Sequence, residues 1–380
     1  VSAVLHSYRF GNLASFRDTT EVSFVIDGKA PDNRLSFVAP SGTRLSKALA
    51  VFGANASGKT NLLKPLPFLN WFTRESFRAP ANTPLPVQNH FFADDHACFF
   101  EVVFEALDTI WRYEVTLTPE RVLNEALYNK KSARFGYVFM REWDSGARQY
   151  TVRQQGFGFN PVEARKVGEK VSMLSAALQY QVDLAQRLMG SLGLQTNVIA
   201  LGRSFMGHDH VMEASQRYGE DARMALQMSQ LLQRWDLGLT GVELRKQKVR
   251  DAQNHEEEVY FPWGIHDVQG RKAMLPLALE SSGTQSAFVL LSRLLALLET
   301  GGVAVIDELE NDLHPDMITQ ILELFFNPST NPKNAQLLFT CHATPVLNEF
   351  DKGQILLVEK DEDCNSRAWR LDSVKGVRAD

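Results

Sequence analysis

The segment Gly53-Ala54-Asn55-Ala56-Ser57-Gly58-Lys59-Thr60 has the residue types and spacing of a phosphate-binding loop, G-x-x-x-x-G-K-S/T. Its two glycines let the main chain curl, so that successive N–H groups point at one phosphate. Lys59 would then reach the terminal phosphates, and the Thr60 hydroxyl would bind Mg²⁺. The pattern predicts a bound nucleoside triphosphate, contacted by Gly53, Asn55, Ala56, Ser57, Gly58, Lys59, Thr60 and Asn61.

An apolar run precedes this loop, and a helical pattern follows it. Residues 48–52 predict a buried strand, and residues 61–76 predict a helix. The N-terminus of that helix would add a favourable field for a phosphate. A surface turn rich in Gly and Ser would also fit the octapeptide, but the strand–loop–helix setting favours the nucleotide site.

A second apolar run, residues 303–306, is followed directly by two acids, Asp307 and Glu308. A buried parallel strand can place such carboxylates beside bound phosphates. Asp307 would then bind Mg²⁺, and Glu308 would take a proton from an attacking water. The presence of Lys59 favours this interpretation over two acids that only end a strand.

A third apolar run, residues 337–340, leads to His342. At the carboxyl end of a strand, this histidine could contact the γ-phosphate and position the attacking water. A lone histidine in such a place is more often structural. The order of the runs, with His342 after the acidic strand, favours the functional role.

The segment Glu280-Ser281-Ser282-Gly283-Thr284-Gln285 precedes a long apolar helix pattern, residues 286–298. Small residues at a helix N-terminus form a second anion site, although a plain capped helix is the alternative. One chain would then carry two phosphate-binding helix ends, whereas each nucleotide needs one of each kind. Two subunits placed head to tail would hold each nucleotide between the loop of one and the serine turn of the other.

The four motifs GANASGKT, ESSGTQ, VAVIDELENDLHP and FTCHATPVL, in this order, resemble those of the ABC-type ATPases of the RecF/SMC/Rad50 branch. The chain is most similar to the small AAA-labelled ATPases of prokaryotic antiphage and abortive-infection systems, the AbiLi type, which are related to the overcoming-lysogenisation-defect ATPases. A Toprim domain, as in those nucleases, has no room after residue 350. The segments 8–18, 354–360 and 374–380 resemble the opening and closing segments of this group.

The resemblance implies ATP hydrolysis with a defined set of residues. Lys59 and Thr60 would serve the phosphates and Mg²⁺, Asp307 the metal shell and Glu308 the general base, with His342 as switch histidine. Ser281 and Gly283 would be signature residues acting on the partner's nucleotide, and residues 311–315 the D-loop. Two departures stand out: Ser282 replaces the middle glycine of the signature, and Gln88 is only a candidate for the metal-binding Q-loop glutamine.

The predicted fold class is α/β, a P-loop NTPase of ABC-ATPase type whose mixed sheet carries an antiparallel β subdomain and an inserted α-helical lid. Three parts are expected: an N-terminal lobe over residues 1–120, a β-hairpin and helical insertion over 121–258, and a C-terminal lobe over 259–380. Residues 98–153 contain short runs with strand alternation, and residues 162–235 have helical periodicity. One helix is expected to run through Leu174 and Leu188.

Composition limits the remaining possibilities. With 44% hydrophobic and 22% charged residues among 380, the chain is typical of soluble globular proteins. It has no secretory signal pattern at its start, no apolar segment of membrane-spanning length, and three cysteines without CxxC spacing, which favour a cytoplasmic protein. In the group that the chain resembles, the closing segment often extends further than it does here.

The formal net charge of −5 argues against a surface that is basic overall, so DNA would have to bind a local patch. A solvated charged face is the favoured interpretation of the two basic clusters, which are Arg245, Lys246, Lys248 and Arg250, and Lys130, Lys131 and Arg134.

These motifs predict an ATPase that forms a homodimer or a higher even-numbered homo-oligomer. No nuclease motif is visible in the sequence, so the chain is expected to sense a signal and to control a separately encoded effector, a nuclease or toxin, in antiviral defence. The alternative is a DNA-repair or chromosome-maintenance ATPase that contacts DNA directly. A transporter motor is the third and weakest interpretation.

Overall fold

The structure, a computed structural model, describes residues 2–26, 34–200, 202–204, 207–235, 237–250, 256–311, 313 and 315–374. Asp312 and His314 of the expected D-loop, and residues 375–380 of the expected closing segment, lie outside the described residues. The strands are β1 (Val4–Gly11), β2 (Thr20–Ser23), β3 (Ser36–Val38), β4 (Arg44–Ser46), β5 (Ala48–Phe52), β6 (Cys98–Ala106), β7 (Thr109–Leu117), β8 (Val122–Asn129), β9 (Gly136–Asp144), β10 (Gln149–Gln154), β11 (Leu194–Thr196), β12 (Val198–Ile199), β13 (Gly202–Arg203), β14 (Gly241–Arg250), β15 (Glu256–Val268), β16 (Arg271–Pro276), β17 (Val303–Ile306), β18 (Gln336–Thr340), β19 (Ile355–Lys360) and β20 (Ser366–Arg370). The α-helices are α1 (Lys59–Leu63), α2 (Pro65–Glu75), α3 (Pro161–Arg165), α4 (Met173–Gln179), α5 (Asp183–Ser191), α6 (His208–Glu220), α7 (Ala222–Arg234), α8 (Ser282–Thr300) and α9 (Pro315–Phe326).

A six-stranded sheet with the order β11-β17-β18-β5-β19-β20 forms the centre of the molecule. The first five strands of this order run parallel, and β20 pairs antiparallel at the edge. In a parallel sheet all carboxyl ends meet at one edge, where ligands bind. The segments that follow β5, β11, β17, β18 and β19 are therefore brought together.

Both faces of this sheet are buried, which explains why its strands are continuous apolar runs. Along β5, Leu49 and Val51 belong to one hydrophobic core, and Ala48, Ala50 and Phe52 belong to the other. This alternation follows from the two-residue period of a strand. Helices α8 and α9 contribute more buried residues to the second core than any other element does. No helix of the described residues is long and apolar enough to cross a bilayer.

The first core is shared with a seven-stranded antiparallel sheet, β10-β9-β8-β7-β6-β1-β2, and with α2, α4 and α5. The predicted boundary after residue 120 falls in the turn between β7 and β8, which are hydrogen-bonded neighbours in this sheet. Helices α6 and α7 pack instead with α8 on the second core. The predicted fold class, an α/β P-loop NTPase fold with an antiparallel β part and additional helices, is confirmed.

Three local expectations need correction. The helix expected over 61–76 is divided into α1 and α2 at Pro65, because proline has no N–H and its ring clashes with the preceding turn. The helix expected through Leu174 and Leu188 is also two helices, since Gln181 between them adopts a φ of 55°. Within the region of helical periodicity, Leu194–Thr196 forms β11, an edge strand of the central sheet.

Candidate functional site

The phosphate loop lies between β5 and α1, as the sequence predicts. Gly58 adopts a φ of 110° directly before the helix, a conformation that favours glycine. The Lys59 amino group folds back over the loop, where Nζ donates to the Gly53 carbonyl at 2.8 Å and to the Ala54 carbonyl at 3.0 Å. These two carbonyls satisfy the ammonium group. Phosphate oxygens would offer it a stronger partner.

Burial lowers the pKa of Lys59, and the nearby carboxylates of Asp307, Glu308 and Glu310 act in the opposite direction. A buried cation facing carboxylates from the neighbouring strand is suited to an anion that brings its own divalent metal. The electrostatics of the loop thus agree with a nucleotide–metal complex as the ligand.

A hydrogen-bond network of small polar residues packs against the phosphate loop. The Ser366 hydroxyl donates to the Ser57 carbonyl at 2.7 Å, and the Ser366 amide donates to the Ser15 carbonyl at 2.7 Å. The Asn61 side chain donates to the Ser15 hydroxyl at 2.9 Å. A Cβ on Gly58 would lie 2.4 Å from the Ser366 hydroxyl oxygen. The second glycine is therefore needed both for its φ and for close packing against this network.

The first glycine of the loop is constrained by the next strand. A Cβ on Gly53 would lie 2.2 Å from the carbonyl oxygen of Val358 in β19, which is main chain and cannot rotate away. We expect Gly53→Ala to lower the free energy of unfolding by about 1–3 kcal/mol, as overpacking does in a close-packed core. Chemical denaturation measures this. Gly136→Ala is the matched control, because a Cβ at that position would have no other atom within 4 Å; equal effects of both changes would contradict the prediction.

The two acids after β17 are held by hydroxyl groups from both neighbouring elements. Asp307 accepts from the Thr60 hydroxyl at 2.7 Å and from the Thr340 hydroxyl at 2.7 Å. The Glu308 amide in turn donates to the Thr340 hydroxyl at 2.7 Å. Glu308 adopts a φ of 51°, so the main chain turns sharply immediately after the strand. Asp307 is thereby fixed on the phosphate-loop threonine, with Glu308 beside it.

A residue at the end of β11 fixes the main chain of the same acid. The Asp307 amide donates to Asn197 Oδ1 at 2.8 Å, and Asn197 Nδ2 donates to the Asp307 carbonyl at 2.9 Å. Both polar atoms of the Asn197 amide group are used in this way. Three parallel strands therefore contribute to the position of one carboxylate.

These residues fit the ligands that the motifs predict. The Thr60 hydroxyl and the Asp307 carboxylate supply the hard oxygen donors that Mg²⁺ prefers. In the described part of the chain, no group of three or more His, Cys, Asp or Glu side chains is arranged to hold a metal ion. The Ser57 hydroxyl is buried with no hydrogen-bond partner in the structure, and it lines the same cavity.

This cavity of about 240 Å³ brings most of the predicted residues together. It is lined by every residue from Asn55 to Asn61, and by Asp307, Glu308, His342 and Lys360. The exposed His342 follows β18, and its amide donates to Glu310 Oε1 at 2.5 Å. The side chain of His342 thus stands at the mouth of the cavity, beside the acids.

Two predicted parts of the site lie outside this cavity. Gln88 lines a separate cavity next to Ala14, and its carbonyl accepts from the Ala14 amide at 2.7 Å. Gln88 does not line the phosphate-loop cavity, and its role as a metal ligand stays a prediction. Ser281, Ser282 and Gly283 form the N-terminus of α8, where both serines are exposed, and none of the three lines the phosphate-loop cavity of its own chain.

Several residues that build the site were not predicted from the sequence. Asn197 and Arg203 lie in a region of expected helices, and the three-residue strand before Asn197 is too short to give a periodic signal. Lys360 lies in the segment 354–360, which was noted only for its resemblance, and it ends β19 at the carboxyl edge of the sheet. Ser366 and Thr340 carried no such signal, because their contacts join distant parts of the chain.

The basic cluster on β14 is largely offset by acids on β15. Lys246 pairs with Glu258 at 2.5 Å, and Arg250 pairs with Glu256 at 3.2 Å. Arg245 pairs with Glu243 at 2.8 Å. These pairs agree with the solvated charged face favoured from the sequence, and they reduce the charge that β14 could offer to DNA.

One family model matches most of the chain. Residues 49–348 match the model of the family described as "AAA domain, putative AbiEii toxin, Type IV TA system". No curated protein matches the sequence.

Among solved structures, the chain is similar to the "SMC head domain from Thermotoga maritima", with 14% identity, 96% of this chain and 98% of that chain covered, and a TM-score of 0.41. A SmcHead bound to the C-winged helix domain of ScpA has 12% identity, 96% of each chain covered and a TM-score of 0.47. A Smc head domain with an extended coiled coil, bound to the C-terminal domain of ScpA derived from Pyrococcus furiosus, has 9% identity, 97% of each chain covered and a TM-score of 0.49.

Proposed function

Since the chain belongs to the family described as "AAA domain, putative AbiEii toxin, Type IV TA system", whose model matches residues 49–348, we propose that it is an ABC-type ATPase that binds and hydrolyses ATP. One observation carries the proposal. A single cavity at the carboxyl edge of the parallel sheet collects Lys59, Thr60, Asp307, Glu308 and His342. These residue types provide a phosphate clamp, metal ligands, a base and a γ-phosphate contact.

The residues divide the reaction among them. Lys59 and the amides of the loop neutralise the phosphates, and His342 at the cavity mouth contacts the γ-phosphate. Glu308 takes a proton from water as the water oxygen bonds to the γ-phosphorus and the bond to the ADP oxygen breaks. Mg²⁺, held by oxygens of Thr60 and Asp307, would neutralise the charge that develops on the phosphates.

A second subunit would complete the site. The Ser281 hydroxyl accepts from the Thr284 amide at 3.1 Å, which caps α8 and leaves the exposed turn rigid. The first amides of a helix have no partner within the helix and attract anions. Glu280, the residue before this turn, is held by His266, whose Nε2 lies 2.7 Å from Glu280 Oε1. A turn that is ready for phosphate, yet outside its own cavity, supports a head-to-tail dimer around shared ATP.

Through closure of such a dimer, the conformation of the protein would depend on which nucleotide is bound. We place this change in prokaryotic antiviral defence, where a separately encoded nuclease or toxin would respond to it in the cytoplasm. The family description, which names a toxin of a type IV system, supports this direction. Affinity purification should recover a stable effector; recovery of salt-sensitive DNA alone would favour the repair alternative instead.

Light scattering of the full chain tests the nucleotide-dependent dimer. With Mg²⁺ and a non-hydrolysable ATP analogue the mass should double, whereas with ADP or no nucleotide it should stay at the monomer value, because only the γ-phosphate bridges the two half-sites. Addition of EDTA should reverse the doubling. A mass that is the same in all four conditions would remove the proposed dimer.

A further inference from the structure

The proposed general base is engaged in an ion pair within its own chain. Glu308 Oε2 lies 2.5 Å from Arg203 Nη1. The Arg203 side chain is 21% exposed, so this pair is only partly screened by water. The Glu308 amide donates to the Thr340 hydroxyl, which ties the main chain to β18 and leaves the side chain as the part that can turn.

Glu308 lines two neighbouring cavities. One is the phosphate-loop cavity, and the other, of about 160 Å³, is lined by Arg203, Ser204, Ser286 and Arg293 among others. Arg203 lines the second cavity but not the first. The ion pair therefore draws the Glu308 carboxylate towards the side opposite the phosphate loop, away from where water must attack.

The element that carries Arg203 is suited to movement. Arg203 ends the two-residue strand β13, which pairs with β12 only through Val198 and Ile199, and Gly202 before it has a φ of 135°. β13 lies beside α1, the helix that begins with Lys59. The neighbouring cavity, which Arg203 already lines, gives the guanidinium group space to turn away from Glu308.

We propose that Arg203 is a positioning residue that holds the Glu308 carboxylate in a resting orientation, so that hydrolysis requires this ion pair to open. The inference rests on the proposed ATPase function. The ion pair holds the Glu308 carboxylate on the side of Arg203, so the carboxylate must turn before it can take a proton from water at the γ-phosphate. Bound ATP would bring its phosphates, which are stronger anions than the Glu308 carboxylate, close to α1 and to the neighbouring β13. Closure of the site would then open the ion pair and release Glu308 towards the attacking water.

The test compares steady-state ATP hydrolysis by the wild type, Arg203→Gln and Arg203→Lys, with nucleotide affinity measured separately. In Arg203→Gln, which lacks the ion pair with Glu308 (the latch), kcat should rise about fivefold while KM stays unchanged. This rise corresponds to an activation barrier lower by about 1 kcal/mol. Arg203→Lys keeps the charge but loses the planar fork, so its kcat should lie between the two. Arg203→Gln combined with Glu308→Gln should be inactive, since the gain must act through Glu308.

Arg217→Gln is the matched control. Arg217 pairs with Glu213 at 2.6 Å on α6, so this change breaks an arginine–glutamate pair of similar length outside the nucleotide cavity. Its kcat should equal that of the wild type. Thermal unfolding of each variant separates a loss of stability from an effect on the base.

The outcomes distinguish the inference from the function on which it rests. Wild-type hydrolysis with an unchanged or lower kcat for Arg203→Gln would overturn the latch alone. If the wild type binds ATP without hydrolysing it and the Arg203→Gln variant does hydrolyse it, the result would support the latch. Nucleotide binding without turnover in either protein would overturn the latch, and no nucleotide binding by the wild type would overturn the proposed function together with it.

Discussion

Replacement of Lys59 by alanine should lower the affinity for ATP about 30- to 150-fold, which corresponds to the loss of about 2–3 kcal/mol from a charged hydrogen bond to phosphate. The structure explains why this lysine cannot be replaced by a neighbour. Its amino group is anchored on the Gly53 and Ala54 carbonyls at the centre of the loop, whereas Lys360 reaches the cavity only from the exposed end of β19. Fluorescence titration with a labelled ATP analogue measures the effect.

Lys47→Ala is the matched control for this change. Lys47 precedes β5, at the end opposite the phosphate loop, and it is a buried lysine whose Nζ donates to the Phe326 carbonyl at 3.0 Å. Burial lowers its pKa as it does for Lys59. Lys47→Ala should cost stability but leave ATP affinity unchanged. Equal nucleotide affinity in the two variants would show that Lys59 is not the phosphate clamp.

Replacement of Glu308 by glutamine should reduce single-turnover hydrolysis about 10²- to 10⁴-fold, the usual contribution of a positioned base, while ATP binding is retained. The change keeps the shape of the side chain and the amide contact with Thr340, and it removes the carboxylate that accepts the proton and pairs with Arg203. Bound ATP should therefore accumulate between two subunits. Rapid-quench kinetics together with light scattering would measure both effects.

Glu299→Gln provides the comparison for this second change. Glu299 lies near the exposed end of α8, where it pairs with Arg223, far along the helix from the Ser281 turn. Hydrolysis should be unaffected there. If the Glu308→Gln variant hydrolyses ATP at the wild-type rate, Glu308 is not the general base and another group in the cavity must take the proton.

The parts of the site that could be predicted from the sequence are those in which one strand and the loop after it carry the chemistry. Residues 48–60 and 303–308 are contiguous, and their apolar runs fix which end of the strand meets the phosphates. His342 could be placed for the same reason. The parallel sheet then assembled these segments by topology alone, as β17, β18 and β5 are neighbours.

The residues that could not be predicted act across the fold. Asn197 follows a strand of only three residues, which is too short for a periodic signal to appear against the helical segments around it. Ser366 contacts Ser57 across more than three hundred residues of sequence, and no local pattern encodes such a contact. The break after Gln181 depends on the positive φ of one non-glycine residue, which the sequence does not signal, whereas the break at Pro65 follows a proline that does interrupt a helical pattern.

Mixing two inactive variants tests the shared site most directly. Lys59→Ala removes the phosphate clamp, and Ser282→Glu places a repelling charge on the exposed signature turn, where an acid at the first helical position also suits the helix dipole. Each variant alone should be inactive. After random association, half of the dimers would pair one variant with the other and retain one intact composite site of two, so roughly a quarter of the wild-type activity should return. A mixture as inactive as its two components would contradict the claim that each ATP is held by the phosphate loop of one subunit and the serine turn of the other.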